Sequence, residues 1–165
     1  MADCVFCKIL AGEFAAQKIF ESDKIVAILD INPVSLGHAL VMPREHFETL
    51  SDLPPELAAE LSRASQKVAQ GVLKATGAEG FNLLMNNRKC AGQAILHAHF
   101  HVIPRRSHDG IKFSWPTRRY TDEMKQLDAD LALAKPVPVA DQERIRKADD
   151  AAREKQAEAI RAALR

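Results

Sequence analysis

The feature that most constrains the fold is one long amphipathic segment, residues 51–76, with strand-like segments on both sides of it. Its apolar residues recur at the three- and four-residue spacing of a helix that buries one face. They are Leu57, Leu61, Ala64, Val68 and Val72. Pro54 and Pro55 stand where a helix begins, because the first turn needs no N–H donor there, and Gly77 stands where one ends. We therefore predict a single long helix in the middle of the domain.

Short apolar segments predict the strands against which this helix packs. They lie at residues 18–21, 24–30 and 38–42 before the helix, and at residues 80–86 and 96–104 after it. A short helical turn is expected at residues 4–11. Strands followed by one helix and then more strands are typical of an α+β domain with a largely antiparallel sheet. We expect such a fold, with about five strands and one long helix.

Composition favours one domain and excludes several classes of function. The chain has 165 residues, 47% of them hydrophobic, which is enough for a core, and its net charge is only +1. So small a charge predicts no strong attraction to nucleic acid or to an anionic membrane. No apolar run approaches the ~20 residues that span a bilayer, and the first residues lack the pattern of a secretory signal. Three cysteines, an odd number, suit a reducing compartment, so we expect a cytoplasmic protein.

The carboxy-terminal third differs in character from the rest of the chain. We therefore divide the chain into a domain at residues 1–106 and an extension at residues 107–165. Within the extension, helices are predicted at residues 121–134 and 141–164, separated by prolines. The apolar stripe of the last helix is mostly alanine, so we expect this helix to bury little and to pack loosely on the domain or on a partner.

The segment at residues 96–104 carries three histidines at alternate positions. In a strand, His97, His99 and His101 lie on one face and the residues between them lie on the other. Packing does not require a row of imidazoles about 7 Å apart. Two kinds of chemistry could use one, since neutral imidazole is a common metal ligand and is also a good nucleophile or acid at phosphorus. The spacing alone does not choose between them.

The run His97-Ala-His99-Phe-His101-Val-Ile resembles the signature of the histidine-triad (HIT) superfamily, in which histidines alternate with apolar residues. Its surroundings, Gly92-Gln93 upstream and Pro104-Arg105 downstream, are also similar to those of the family. The amino-terminal half resembles the bacterial Hint-type branch, which carries a zinc-binding amino terminus. The segments that carry this likeness are Cys4-Val-Phe-Cys7, Asp30-Ile-Asn-Pro33 and Gly37-His38-Ala-Leu-Val-Met-Pro43. The resemblance covers residues 3–105 and implies a HIT-like fold.

The resemblance implies an enzyme that binds a purine nucleotide, cleaves a bond at its α-phosphate and forms a homodimer. His99 would attack the phosphorus and form a nucleotidyl-histidine, which splits one difficult displacement into two easier steps. His101 and Gln93 would contact the phosphate or the leaving group, and His38 would join the histidine cluster. The remaining implied contacts are those of Asp30 with the ribose hydroxyls, Ile31 with the base and Asn86 with the phosphates.

Several substrates and roles remain open at this point. The leading hypothesis is a purine nucleoside phosphoramidate or a related adenylated compound as the substrate. One alternative is a dinucleoside polyphosphate, and another is a non-catalytic module that binds a nucleotide to regulate a partner, which the intact His99 disfavours. Two departures from the family pattern bear on the leaving group. Arg88 stands where glycine is common, and Ala94 stands where Hint relatives carry a phosphate-binding serine.

Cys4 and Cys7 have the C-x-x-C spacing found in zinc sites, in redox motifs and in unrelated pairs of thiols. The resemblance supplies the two further ligands that a closed site needs, His46 and His97. Four protein ligands leave no position for a catalytic water, so the implied Zn²⁺ is structural. A protein that only stores zinc is a weaker alternative, because it leaves His99 and the other nucleotide-site residues without a purpose.

Overall fold

The computed structural model describes residues 4–112 and 150–165. The strands are β1 (Lys18–Glu21), β2 (Ile25–Leu29), β3 (Ala39–Pro43), β4 (Gly80–Leu84) and β5 (Phe100–Arg105). The α-helices of the described residues are α1 (Val5–Leu10), α2 (Pro55–Thr76) and α3 (Asp150–Ala163), and short 3₁₀ helices lie at Leu50–Asp52 and Lys89–Ala91. The strands form one antiparallel sheet in the order β1-β2-β3-β5-β4. The predicted α+β class, five-stranded sheet and long central helix are confirmed.

Strands β2 and β3 are buried on both faces, which explains their unbroken apolar sequence. Alternate residues of β2 pack on opposite sides of the sheet, as the pleat requires. Ala27 and Leu29 belong to a cluster with α2 and α3. Val26 and Ile28 belong to a second cluster with Phe6 of α1. The register between β2 and β3 runs from Ile25 opposite Pro43 to Leu29 opposite Ala39.

Helix α2 begins later than the apolar periodicity predicts. Leu53 and Pro54 are extended, with ψ of 138° and 140°, and the helix starts at Pro55. Each of these extended residues precedes a proline, whose ring disfavours the helical conformation of the residue before it. The helix ends as predicted, because Gly77 takes a left-handed φ of 65° and its N–H donates to the carbonyl of Leu73 at 2.9 Å.

The strand predicted at residues 96–104 is shorter than expected and begins only at Phe100. His97 and His99 therefore precede the sheet, and the prediction of three histidines on one strand face is wrong. The rings of His99 and His101 lie 4.8 Å apart between centroids, closer than the spacing along a regular strand. The strands predicted at residues 24–30 and 80–86 are also slightly shorter in the structure.

The early departure of the histidine segment from the sheet has a cause in β3. The pairing of β3 with β5 ends at Val41 opposite Phe100. Continued by two residues, this register would bring Pro43 opposite Ala98, and a proline has no N–H to donate across a ladder. The N–H of Ala98 instead donates to the carbonyl of Phe47 at 2.6 Å, outside the sheet.

Helix α3 lies within the helix predicted at residues 141–164, but it is packed more tightly than expected. Ala157 and Ile160 have no exposed surface and belong to the same apolar cluster as α2. Gly71 on α2 allows this approach, since a Cβ at that position would lie 2.6 Å from Cδ2 of Leu164. The expectation of a loosely packed helix is therefore wrong.

Parts of the predicted extension lie outside the described residues. These are the helix expected at residues 121–134 and the first part, residues 141–149, of the helix that contains α3. None of the helices in the described part of the chain has the length and apolarity needed to cross a bilayer.

Candidate active site

A pocket of about 360 Å³ opens between α1, the end of β2 and the histidine segment. One wall is apolar and comes largely from α1 and the sheet. It includes Val5, Phe6, Ile9, Ile28, Leu40 and Ile95. The other lining is polar and includes Asp30, Asn86, His99 and His101. An apolar wall with a few convergent polar groups is typical of sites for small organic ligands.

Burial and one hydrogen bond fix the protonation and the tautomer of His99 in this pocket. It is only 4% exposed, and burial lowers the pKa of its imidazole, so the ring is neutral near pH 7. Its Nδ1 lies 2.6 Å from the carbonyl oxygen of His97, which can only accept, so Nδ1 carries the proton and donates it. The lone pair of the neutral ring is therefore on Nε2. The ring of Phe6 packs edge-on against it, 5.1 Å away between centroids.

A second chain of hydrogen bonds sets the orientation of His101. The backbone N–H of Val34 donates to Nδ1 of His38 at 3.2 Å, which leaves the proton of a neutral His38 on Nε2. That Nε2 lies 3.0 Å from Nδ1 of His101 and donates to it, so the proton of His101 is on its own Nε2. Burial, with a smaller effect of the neighbouring histidines, lowers the pKa of His101 to about 4. Burial also lowers the pKa of His38, so both rings are neutral near pH 7.

Asp30 lies beside His38, next to this chain of hydrogen bonds. Its Oδ2 is 3.4 Å from Nδ1 of His38, and its Oδ1 accepts the N–H of Asn32 at 2.8 Å. Asp30, His38 and His101 are close enough together to resemble a metal site. They are arranged in a line, however, and opposite nitrogens of His38 face its two neighbours. The hydrogen-bonded relay runs from Val34 through His38 to His101, and Asp30 lies beside it without a hydrogen bond to the neutral His38, because Nδ1 and the carboxylate are both acceptors.

The predicted nucleotide ligands Asp30, Ile31 and Asn86 all line the pocket. Ile31 is 61% exposed and Asn86 donates from Nδ2 to the carbonyl of Gly92 at 3.4 Å. Ala94 also lines the pocket, and its methyl group supplies no hydrogen-bond donor. The positions of these residues are compatible with nucleotide binding, and their roles stay predictions.

Gln93 is placed differently from a residue that contacts a phosphate. It is 5% exposed and does not line the pocket. Its Oε1 accepts the N–H of Arg88 at 2.7 Å, and its Nε2 donates to the carbonyl of Glu48 at 2.6 Å. Both ends of the amide thus hold the loop at residues 88–93. A contact between Gln93 and a phosphate stays a prediction.

Arg88 adopts a backbone conformation that suits glycine. Its φ is 70° and its ψ is 163°, a region that residues with a Cβ rarely enter. Its guanidinium forms an ion pair with Glu48 and a longer one, at 3.6 Å, with Asp52. Arg88 stands where glycine is common in the family, and this positive φ is the physical reason why glycine suits the position.

Beside the pocket, Cys4, Cys7, His46 and His97 bring four ligand atoms within 4.8 Å of one another. Nδ1 of His97 lies 3.6 Å from Sγ of Cys4 and 3.7 Å from Sγ of Cys7. Nδ1 of His46 lies 3.3 Å from Sγ of Cys7. In a tetrahedral zinc site, bonds of ~2.3 Å to sulfur and ~2.1 Å to nitrogen place those ligand atoms about 3.6 Å apart. The observed separations therefore fit a Zn²⁺ ion.

His97 connects this cysteine–histidine cluster to the pocket. Its Nε2 donates to the carbonyl of Pro43 at 2.8 Å, which directs the Nδ1 lone pair toward the two thiols. Burial lowers the pKa of His97 to about 4 and raises the pKa of the Cys7 thiol. The thiolate that zinc requires would be favoured by the cation itself. The backbone carbonyl of the same His97 accepts a hydrogen bond from Nδ1 of His99.

The contribution of α1 to the pocket was not predicted from the sequence. Val5, Phe6 and Ile9 form much of the apolar wall, whereas only a helical turn was expected at residues 4–11. The available signal was their position in and just after the C-x-x-C pair. A metal shared between that pair and His97 would bring these apolar side chains next to the histidine segment.

Comparisons with known proteins agree with this geometry. Residues 11–108 match the HIT domain family. The adenylylsulfatase HINT3 of Arabidopsis thaliana is 44% identical over 119 residues, which are 72% of this chain and 60% of the Arabidopsis protein. This chain therefore spans less than two thirds of that relative. The adenosine 5'-monophosphoramidase hnt1 of Schizosaccharomyces pombe is 37% identical over 131 residues, which are 78% of this chain and 96% of the yeast protein.

Solved structures give the same answer for the fold. The crystal structure of a Zn-bound histidine triad family protein from Mycobacterium smegmatis aligns with a TM-score of 0.72 at 32% identity. The alignment covers 99% of this chain and 94% of the mycobacterial one. Together with the five-stranded sheet and the histidine pocket, these matches show that the chain belongs to the histidine-triad (HIT) family.

Proposed function

We propose that this protein is a nucleotide hydrolase or transferase that acts on purine nucleoside phosphoramidates or related adenylated compounds. Cleavage would occur at the α-phosphate through a nucleotidyl-His99 intermediate. The observation that carries the proposal is the hydrogen bond from Nδ1 of His99 to the carbonyl of His97, because it leaves Nε2 of a neutral imidazole free to attack. The hydrolase names of the Arabidopsis and yeast relatives support a nucleotide hydrolase of the HIT kind.

The pocket offers a matching surface to each part of a purine nucleotide. Its volume of about 360 Å³ lies in the range of sites for small organic ligands. The base would pack on the apolar wall from α1 and beside Ile31, and the carboxylate of Asp30 would accept the ribose hydroxyls. The α-phosphate would lie between Asn86, His99 and His101. Gln93 would act by holding the loop beside Asn86 in place.

The proposed reaction has two displacements. In the first, Nε2 of His99 forms a bond to the α-phosphorus, the bond from phosphorus to the leaving nitrogen breaks, and that nitrogen leaves as an amine with a proton taken from solvent. In the second, a water oxygen bonds to phosphorus, the bond to Nε2 breaks, and the water proton is released to solvent. His101 would donate from Nε2 to a phosphate oxygen in both steps, and His38 would hold it in that tautomer.

Steady-state hydrolysis of three substrates tests the proposal against its alternatives. Adenosine 5'-phosphoramidate should give the highest kcat/KM, ahead of adenylyl sulfate and diadenosine tetraphosphate. His99→Ala should lower the rate at least about 1,000-fold, because it removes the nucleophile. His108→Ala replaces a histidine outside the pocket and should leave the rate unchanged. Preference for the tetraphosphate would indicate a dinucleoside polyphosphate hydrolase, and AMP binding without turnover of any substrate would indicate a nucleotide-binding module.

We also propose that Cys4, Cys7, His46 and His97 hold one structural Zn²⁺. Bound there, the ion would cross-link α1 to the segment that carries His99. Because zinc binds thiolates and not a disulfide, such a site suits a reducing compartment, and we propose a cytoplasmic location on this ground. Metal analysis of purified protein should find one zinc per chain in the wild type and in Cys90→Ser, and none in Cys4→Ser. A wild-type protein without stoichiometric zinc would contradict the site.

We further propose a homodimer in which a second copy covers the outer strand β4. Phe81 and Leu83 on this edge strand are 41% and 43% exposed, and Leu96 is 47% exposed. Apolar side chains on an unpaired edge favour association with another strand. Light scattering should give twice the chain mass of 18.3 kDa for the wild type, and Leu83→Lys should shift the mass toward one chain. A wild-type mass of 18.3 kDa would contradict the dimer.

A further inference from the structure

Helix α3 is anchored to the rest of the domain at two separate places. Ile160 is fully buried in the cluster that includes α2, and Leu164 occupies the space beside Gly71. On another side, Nη1 of Arg161 donates to the carbonyl of Lys18 on β1 at 2.8 Å. A helix fixed by these contacts can position the side chains of its amino-terminal half as well.

That amino-terminal half faces the loop between β2 and β3. Arg153 and Gln156, one helical turn apart, enclose a cavity of about 10 Å³ together with Asp30, Gly37 and His38. This volume is about that of one bound water molecule. The Nε2 of Gln156 is buried without a hydrogen-bond partner in the described part of the chain. A buried amide needs a polar partner, and a single water in the cavity would join Gln156 to the loop.

The loop at residues 30–38 carries two groups on which the proposed chemistry depends. Its ends are tied together, because the N–H of Asp30 donates to the carbonyl of His38 at 2.9 Å. Within it, the N–H of Val34 donates to Nδ1 of His38, and this bond leaves the single ring proton of His38 on Nε2, directed toward His101. The conformation of the loop therefore sets the positions of the Asp30 carboxylate, which would bind the ribose, and of the His38–His101 relay.

The loop is held between two helices. On one side Gly37 lies against α2, where a Cβ would come within 2.8 Å of Cγ2 of Thr76. Gly37 also has a left-handed φ of 92°, so the chain turns sharply at this contact. On the other side the loop meets Arg153 and Gln156 of α3. The loop therefore lies between α2 and α3.

We propose that α3 is a positioning element of the nucleotide site, in which Arg153 and Gln156 hold the loop at residues 30–38. Through the loop they place Asp30 and the His38–His101 relay. Neither Arg153 nor Gln156 lines the nucleotide pocket, so both act through the loop and not on the substrate. The catalytic consequence rests on the proposed function, whereas the effect on the loop does not.

Hydrogen exchange of the loop amides tests the structural part without any nucleotide. The test variant is Arg153→Ala/Gln156→Ala, and the matched control is Lys155→Ala/Glu158→Ala, whose side chains are exposed on the same helix. We expect amides of the loop at residues 30–38 to exchange about tenfold faster in the test variant only, since local opening becomes easier. Amides of α2 should keep the wild-type rate in both, which shows an intact fold. Equal loop exchange in both variants would overturn the proposal.

Nucleotide binding gives the second readout. In the test variant the Kd of AMP and the KM of adenosine 5'-phosphoramidate should rise about tenfold, with a smaller fall in kcat, because Asp30 is displaced more than His99. Wild-type Kd and KM together with faster loop exchange would overturn the positioning role. If the wild type neither binds AMP nor turns over any substrate, the proposed function fails, and the exchange comparison still decides whether α3 holds the loop.

Discussion

Replacing Arg88 by glycine and, separately, by alanine isolates the strain at this position. Both variants lose the guanidinium and with it the ion pairs to Glu48 and Asp52. Both keep the backbone N–H that donates to Oε1 of Gln93. The two proteins therefore differ at residue 88 only by one Cβ, on a backbone with φ of 70° and ψ of 163°.

The size of the difference follows from this backbone. A residue with a Cβ held in such a region costs about 1–3 kcal/mol, and glycine is free of that cost. Glycine loses more conformational freedom on folding than alanine, by about 0.5–1 kcal/mol. The ion pairs are absent from both variants and cancel in the comparison. We expect Arg88→Gly to be more stable than Arg88→Ala by about 1–2 kcal/mol.

Equilibrium unfolding in urea measures this difference as a shift of midpoint at constant slope. The matched control is Lys74, an exposed residue in the last turn of α2. There the order should reverse, with alanine favoured over glycine by about 1 kcal/mol because of helix propensity. An alanine variant at residue 88 that is as stable as the glycine variant would refute the argument that this backbone is strained.

Three further predictions concern stability. A chelator should lower the thermal midpoint of the wild type but not that of Cys4→Ser, and an unchanged wild-type midpoint would contradict a structural metal. Burial lowers the pKa of His101 to about 4 in the folded protein, against about 6.5 in the unfolded chain, so the unfolded chain binds a proton first as the pH falls. The free energy of unfolding should therefore be highest above pH 6.5 and decrease toward pH 4. His101→Asn should lose less stability over this range, and an identical loss would refute the linkage. Gly71→Ala should stabilise the Leu164→Ala variant by about 1 kcal/mol through helix propensity and the wild type by less, as measured by urea unfolding.

The order of elements and the two candidate sites could be predicted because each rests on a local pattern or on a motif. The periodicity of α2 and its end at Gly77 need no information from distant residues. The C-x-x-C pair and the alternating histidines resemble those of a known family. That resemblance predicted that His46 lies near the cysteines and that Asp30 lines the pocket, as the structure has them.

The features that could not be predicted depend on contacts between distant segments. The start of β5 depends on the register that would bring Pro43 opposite Ala98 and on the carbonyl of Phe47, which accepts the N–H of Ala98 instead. The direction of the Gln93 amide is decided by Glu48 in the same way. The close packing of α3 depends on a single small residue, Gly71, whose lack of a side chain carries no signal of its own in the sequence.

The central claim, that His99 is the nucleophile, is tested most directly by the mass of the intact protein. The wild type is mixed briefly with adenosine 5'-phosphoramidate, quenched and compared with His99→Ala treated in the same way. We expect an added mass of one adenylate group on the wild type alone, lost again as the intermediate hydrolyses. Turnover by the wild type with no adduct at any time, or the same adduct on His99→Ala, would contradict it.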